Sequence, residues 1–134
     1  MSMLDDVKAY LVANGVTNEI MISRMPDVEP GGAENTTVSL FQYGGIEPEF
    51  VHDDVNKAAM ENPRLQVHCR AIQDQDAEAQ AYVIWNLLSR VVNATLSGHE
   101  FVRISPITSP FYLQRDEADR SIWTCNYRVR KGVE

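Results

Sequence analysis

Three groupings in this 134-residue chain hold side chains capable of chemistry. His52-Asp53-Asp54 offers metal-type ligands, His68-Cys69 offers a base beside a thiol, and arginines recur at alternating positions in two segments. Adjacent residues seldom converge on one ion without a second contributing segment, and no histidine recurs at metal-motif spacing, so His52-Asp53-Asp54 reads as a solvated loop. Neighbours on a strand point to opposite faces, which denies His68 and Cys69 the hydrogen bond that a nucleophile and its base require. The Gly31-Gly32 and Gly44-Gly45 pairs lack the lysine and the helix start of a phosphate loop and are read as turns. No residue is therefore assigned a catalytic, cofactor-binding or metal-binding role.

The arginines carry the remaining signal. In Arg64-Leu65-Gln66-Val67-His68-Cys69-Arg70-Ala71, the apolar residues take one face of a strand and Arg64 and Arg70 the other. The segment around Trp123, Cys125, Tyr127 and Val129 repeats this, with Arg128 and Arg130 on the polar face. Arginine is enriched at interfaces because its planar fork pairs with carboxylates. Glu47, Glu49, Asp53 and Asp54 are the expected counterparts on a neighbouring subunit. The charge-rich segment from Gln114 to Arg120 holds Arg115, Asp116 and Arg120 between two strands, and reads as a solvated hairpin or a contact surface suited to a copy of itself.

The elements that must hold these residues follow from periodicity. A helix is expected from about Met3 to Asn14, capped by Ser2 with Asp5 three residues on, ended by Gly15, and buried through Leu4, Val7 and Leu11. A strand from Glu19 to Met25 follows, then a hairpin-like connection from Asp27 to Thr36 and a strand from Thr37 to Tyr43 stopped by Gly44-Gly45. Ile46 to Asn62 has weak periodicity and reads as a long loop or as one helical turn around Val55 to Met60. A second helix is expected to start near an Asp74 or Asp76 cap and to end before Gly98, with Ala77, Ala81, Ile84, Leu87, Leu88 and Val91 on one face. Strands at Glu100 to Ser105, Phe111 to Arg115 and Ser121 to Arg130 complete a single α+β domain, a mostly antiparallel or mixed sheet packed by two main helices.

Composition bounds the partners. The chain is 44% hydrophobic and 23% charged, as globular domains are, and its formal charge of −7 argues against nonspecific nucleic-acid binding, which depends on neutralising phosphates. The start of the chain lacks the basic and apolar regions of a signal peptide, and no stretch approaches the roughly 18 apolar residues of a membrane span, so a cytoplasmic protein without membrane contact is expected. In such a reducing compartment Cys69 and Cys125 are expected as buried free thiols.

The order of features resembles a known family. An N-terminal helix, Met25-Pro26, Phe41-Gln42-Tyr43-Gly44-Gly45, the run Asn62 to Arg70, an alanine-containing helix, Pro110 to Glu117 and Tyr127-Arg128-Val129 together resemble the tail terminator, or minor capsid, proteins of bacteriophages with long noncontractile tails and their prophages. His52 to Met60 departs most from that pattern. The resemblance implies a non-enzymatic virion protein without cofactors. It implies a homohexameric ring at the head-tail junction that caps the tail tube, stops its polymerisation and joins the head connector, with genomic DNA passing through without sequence-specific binding. A small non-catalytic ferredoxin-like binding module or housekeeping domain is the rival reading, and it would be monomeric or dimeric.

Overall fold

The computed structural model describes residues 2–25, 37–51 and 54–132, with the backbone alone for 45–51 and 54–59. The expected connection from Asp27 to Thr36, with Gly31-Gly32, and the residues His52 and Asp53 lie outside the described residues. The first helix, α1, spans Met3–Ala13. Its start is a capping box in which Asp5 N donates to Ser2 Oγ at 3.3 Å and Ser2 N donates to Asp5 Oδ2 at 3.0 Å. Its end is a Schellman turn, with Gly15 at φ +95° and the amides of Gly15 and Val16 donating to Val12 and Leu11 carbonyls.

Strand β1, Glu19–Ile22, is shorter than expected because Ser23 turns out of the strand at φ +60°. It pairs parallel with β2, Thr37–Val51, which forms a long antiparallel hairpin with β3, Asp54–Ala71. Two expectations fail here. Gly44-Gly45 does not stop β2, and the stretch after it is neither a loop nor a helical turn but an extension of the β2–β3 ladder. The strand passes through the glycines at a register shift between Tyr43 and Ile46, the kind of irregularity that glycine accommodates.

The second helix, α2, spans Asp74–Leu88. It starts after Gln73, which makes no capping side-chain bond, and it stops well short of Gly98. The residues Val92–Leu96 form strand β4 instead, joined through Ser97-Gly98 to β5, His99–Pro106. Ser97 and Gly98 at φ +50° and +83° have the signs of a type I′ turn, and Leu96 pairs directly with His99 across it. Strands β6, Phe111–Arg115, and β7, Ser121–Gly132, complete a seven-stranded mixed sheet of order β1-β2-β3-β7-β5-β4, with β6 against β7 in line with β5.

Both helices lie on one face of this sheet. Val7 and Leu11 of α1 and Ala81, Ile84 and Leu88 of α2 join Val38, Leu40, Leu65, Val67, Cys69, Cys125, Tyr127 and Val129 in one buried cluster. Tyr10 Oη donates to the Leu87 carbonyl at 2.6 Å, linking the helices, and the buried Asp6 lies 2.8 Å from His99 Nδ1, tying α1 to β5. The expected α+β architecture is what the chain forms.

Candidate functional site

The face of the sheet away from the helices gathers the alternate residues of β3, β7 and β5. Arg64 stands directly across from Arg128, and Arg103 directly across from Arg130. These four arginines, with Asn62 and Ser105, line a cleft of about 530 Å³ whose described lining includes no acidic residue. Arg103, Arg128 and Arg130 are exposed and Arg64 is partly so. Among the described residues, no carboxylate pairs with Arg64, Arg103 or Arg128. Like charges placed directly opposite on neighbouring strands oppose the pairing. The sheet therefore presents a concentrated positive charge on a chain whose net charge is −7.

Arg103 is absent from the residues expected from the sequence. Strict alternation along β5 puts it on the face of Phe101, which is buried. A register shift between Phe101 and Arg103 rotates the strand, so that Phe101 and Ile104 both enter the core and Arg103 turns outward.

The remaining expected charges sit elsewhere. Arg70 is only 3% exposed and meets Asp116 at 3.7 Å, so it is withdrawn from the open surface on which alternation places it. Asp116 also accepts from Arg120 Nε at 2.8 Å and from the amides of Ala118 and Arg120 at 3.0 Å. Burial pushes the Asp116 carboxyl up, but these donors and the Arg120 charge outweigh it and hold it below the usual carboxylate range. Arg115 Nε donates to Asp119 at 2.8 Å, and another of its nitrogens donates to the Ile72 carbonyl. The alternating charges of this β6–β7 hairpin are thus paired inside one chain. A second cleft there, about 540 Å³, holds Arg70 and Arg120 beside Asp116 and Glu117 and so carries both signs. Glu47 and Glu49 fall on β2 and Asp54 on β3, in the extension of their hairpin.

The Cys-His pair divides as alternation dictates. Cys69 is fully buried, and burial pushes its thiol far up, while His68 on the other face is pushed down by burial and meets Gln66 Oε1 at 3.1 Å. Burial also raises the Cys125 thiol, whose Sγ donates to the Thr108 carbonyl at 3.1 Å. Protonated thiols in a core are poor nucleophiles. Both cysteines are free. Among the described residues no group of three or more His, Cys, Asp or Glu is placed to hold a metal, and no helix is long and apolar enough to cross a membrane.

A second feature is apolar. Phe111, Tyr112 and Leu113 of β6 are each 40% exposed or more, and β6 pairs only with β7 among the described strands, leaving its outer edge open. Arginine clusters and open strand edges bind other macromolecules; a guanidinium that never loses its proton cannot serve as an acid-base catalyst. The order of the described elements, and the sheet order β1-β2-β3-β7-β5-β4, also differ from those of a ferredoxin-like β-α-β-β-α-β domain. No curated protein sequence matches the chain. The family model described as bacteriophage tail terminator protein matches residues 10–131, nearly the whole chain and every strand, and the chain belongs to that family.

Proposed function

We propose that this protein acts as a homohexameric ring that caps the tail tube, ends its polymerisation and offers its other surface to the head connector. Family membership makes it a non-catalytic structural protein of the phage tail, with the tail tube as a partner. The observation that carries the ring is the outer edge of β6, which pairs with no other strand among the described residues and beside which Phe111, Tyr112 and Leu113 stay exposed. Monomeric proteins blunt such edges with charge, proline or a covering segment, because a bare apolar edge recruits another chain. The arginine cleft is a second, chemically different surface. Two unlike patches on one chain make head-to-tail contacts, and such contacts close into rings when the rotation between copies permits.

Native mass spectrometry across protein concentration and salt, followed by electron microscopy of the protein mixed with preformed tubes of its own tail tube protein, tests this reading. The expected results are a sixfold mass, in solution or at the tube, and density confined to tube ends that no longer elongate. A strict monomer that ignores tube ends overturns the proposal, and a stable dimer that ignores them returns the binding-module reading.

A further inference from the structure

We infer that neighbouring copies join sheet edge to sheet edge, the outer edge of β6 in one copy adding antiparallel to the outer edge of β1 in the next; this rests on the ring reading and names β1, rather than the arginine cleft, as the surface that β6 meets. The sheet register makes β1 and β6 the two ends of the same ladder. Met21 pairs with Ser39, Ser39 with His68, His68 with Thr124 and Thr124 with Phe111. The next row runs in the same way from Ile20 to Tyr112, and the one after it from Glu19 to Gln114. Among the described residues neither β1 nor β6 pairs with a second strand, so these rows end on open backbone at both sides.

The two ends suit each other in direction, face and charge. β6 is exposed at all five positions and so gives no side chain to the core of its own copy, whereas each of the other strands buries at least one. The neighbouring edge, that of β4, is interrupted at Asn93, whose backbone turns to φ +48° and drops out of the β4–β5 pairing, an irregularity of the kind that blunts an edge. β6 runs against β7, β7 against β3 and β3 against β2, while β1 runs with β2. A second copy in the same orientation therefore sets its β1 antiparallel to β6, the more stable of the two pairings. The rows place Phe111 and Met21 on the face away from the helices and Tyr112 and Ile20 on the helix face, so each row continues into the next copy on its own face. Exposed Glu19 begins β1 and Arg115 ends β6, and antiparallel alignment brings this acid and this base to the same end of the joint. Arg115 already holds Asp119, which is 86% exposed, but the five N–H groups of a guanidinium leave donors for a second carboxylate. The joined edges are different strands, so the contact repeats from copy to copy and closes into a ring when the rotation between copies permits.

Cysteine cross-linking tests the joint. Residues directly opposite in an antiparallel pair hold their Cβ atoms about 4.5–5.5 Å apart, close to disulfide reach. Mild oxidation of Phe111→Cys/Met21→Cys, under conditions that assemble the wild type, is expected to give a ladder of covalent multimers ending at six on non-reducing gels. Each single variant is expected to run as a monomer, as is the wild type, whose Cys69 and Cys125 are buried, and a mixture of the two single variants is expected to give dimers. Phe111→Cys/Ile22→Cys sets the second thiol on the opposite face and is expected to cross-link at most about a tenth as much. Circular dichroism melts establish that each variant folds. Folded Phe111→Cys/Met21→Cys protein that forms no ladder overturns the inference while a sixfold wild type keeps the ring reading. Dimers from Phe111→Cys alone, the mark of two β6 edges meeting about a two-fold axis, overturn it as well, and so do equal ladders from the Met21 and Ile22 positions. A wild type that assembles neither in solution nor on tube ends overturns the ring reading and this joint with it.

Discussion

Asp74 opens α2, yet its carboxylate serves the sheet. Ser121 Oγ and Trp123 Nε1 both donate to Oδ1, at 2.6 and 2.9 Å, and these bonds to the charged form lower the carboxyl from its ordinary 3.8. Asp116 is lowered as well, through its Arg120 and Ala118 donors. A carboxyl with a depressed folded pKa adds stability that is complete above its unfolded value and is lost as pH falls through the folded one. The melting temperature is therefore expected to fall as pH drops through the ordinary carboxylate value of 3.8 and on through the lower folded values of these two groups. Asp74→Ala should start lower at neutral pH and fall less steeply, as followed by circular dichroism; a profile parallel to the wild type would remove Asp74 from this account. The sequence marks Asp74 only as a helix-start residue, because its partners stand 47 and 49 positions away. For the same reason the Arg70–Asp116 pair was not legible, while the burial of Cys69 and Cys125 was, since alternation alone assigns their face.

At the scale of elements, the Ser97-Gly98 turn is the clearest local device. Gly98 sits at φ +83° with open space where a Cβ would go, so Gly98→Ala tests backbone conformation without a clash. It is expected to cost about 1 kcal/mol, the usual penalty for an alanine forced to positive φ, or several degrees in melting temperature for a domain of this size. Ser97, at φ +50°, is a non-glycine residue in the same region, and Ser97→Asn should raise the melting temperature by creating the preferred Asn-Gly pair. Equal melting temperatures for all three proteins would mean that the turn does not control β4–β5 pairing. This hairpin also shows where pattern reading stops. Leu87, Leu88 and Val91 keep helical spacing up to the turn, so β4 was absorbed into the expected α2, although Val91-Val92 and Ser97-Gly98 carry a strand and a turn signal. The continuation of the β2–β3 ladder past Tyr43 was illegible because four register shifts between Tyr43 and Val51 erase the period of two. Where the ladder is regular, from Leu65 to Ala71 and along β7, the core face was read correctly.

On the whole-molecule scale, the tip of the β2–β3 hairpin runs past the last β7 residue that pairs with β3. Among the described residues, the hairpin beyond the Glu49–Met60 pair is paired only with itself. Replacing residues 50–59 by an Asn-Gly turn, which keeps the Glu49–Met60 pair beside the turn, should leave the melting temperature within about 3 °C, because shortening a self-paired extension changes loop entropy little. The position of β7 has another consequence. It joins β3 on one side to β5 and β6 on the other, yet it follows all of them in the chain. During synthesis the β1–β2–β3 and β4–β5 pieces must therefore wait, with open edges, until the ribosome has released β7. Its arrival is a non-local event that joins the two halves late, so the nascent chain has no complete sheet to offer a neighbouring nascent chain. On the proposed ring reading, subunits meet as finished proteins, and the onset of capping then depends on translation being completed rather than merely begun.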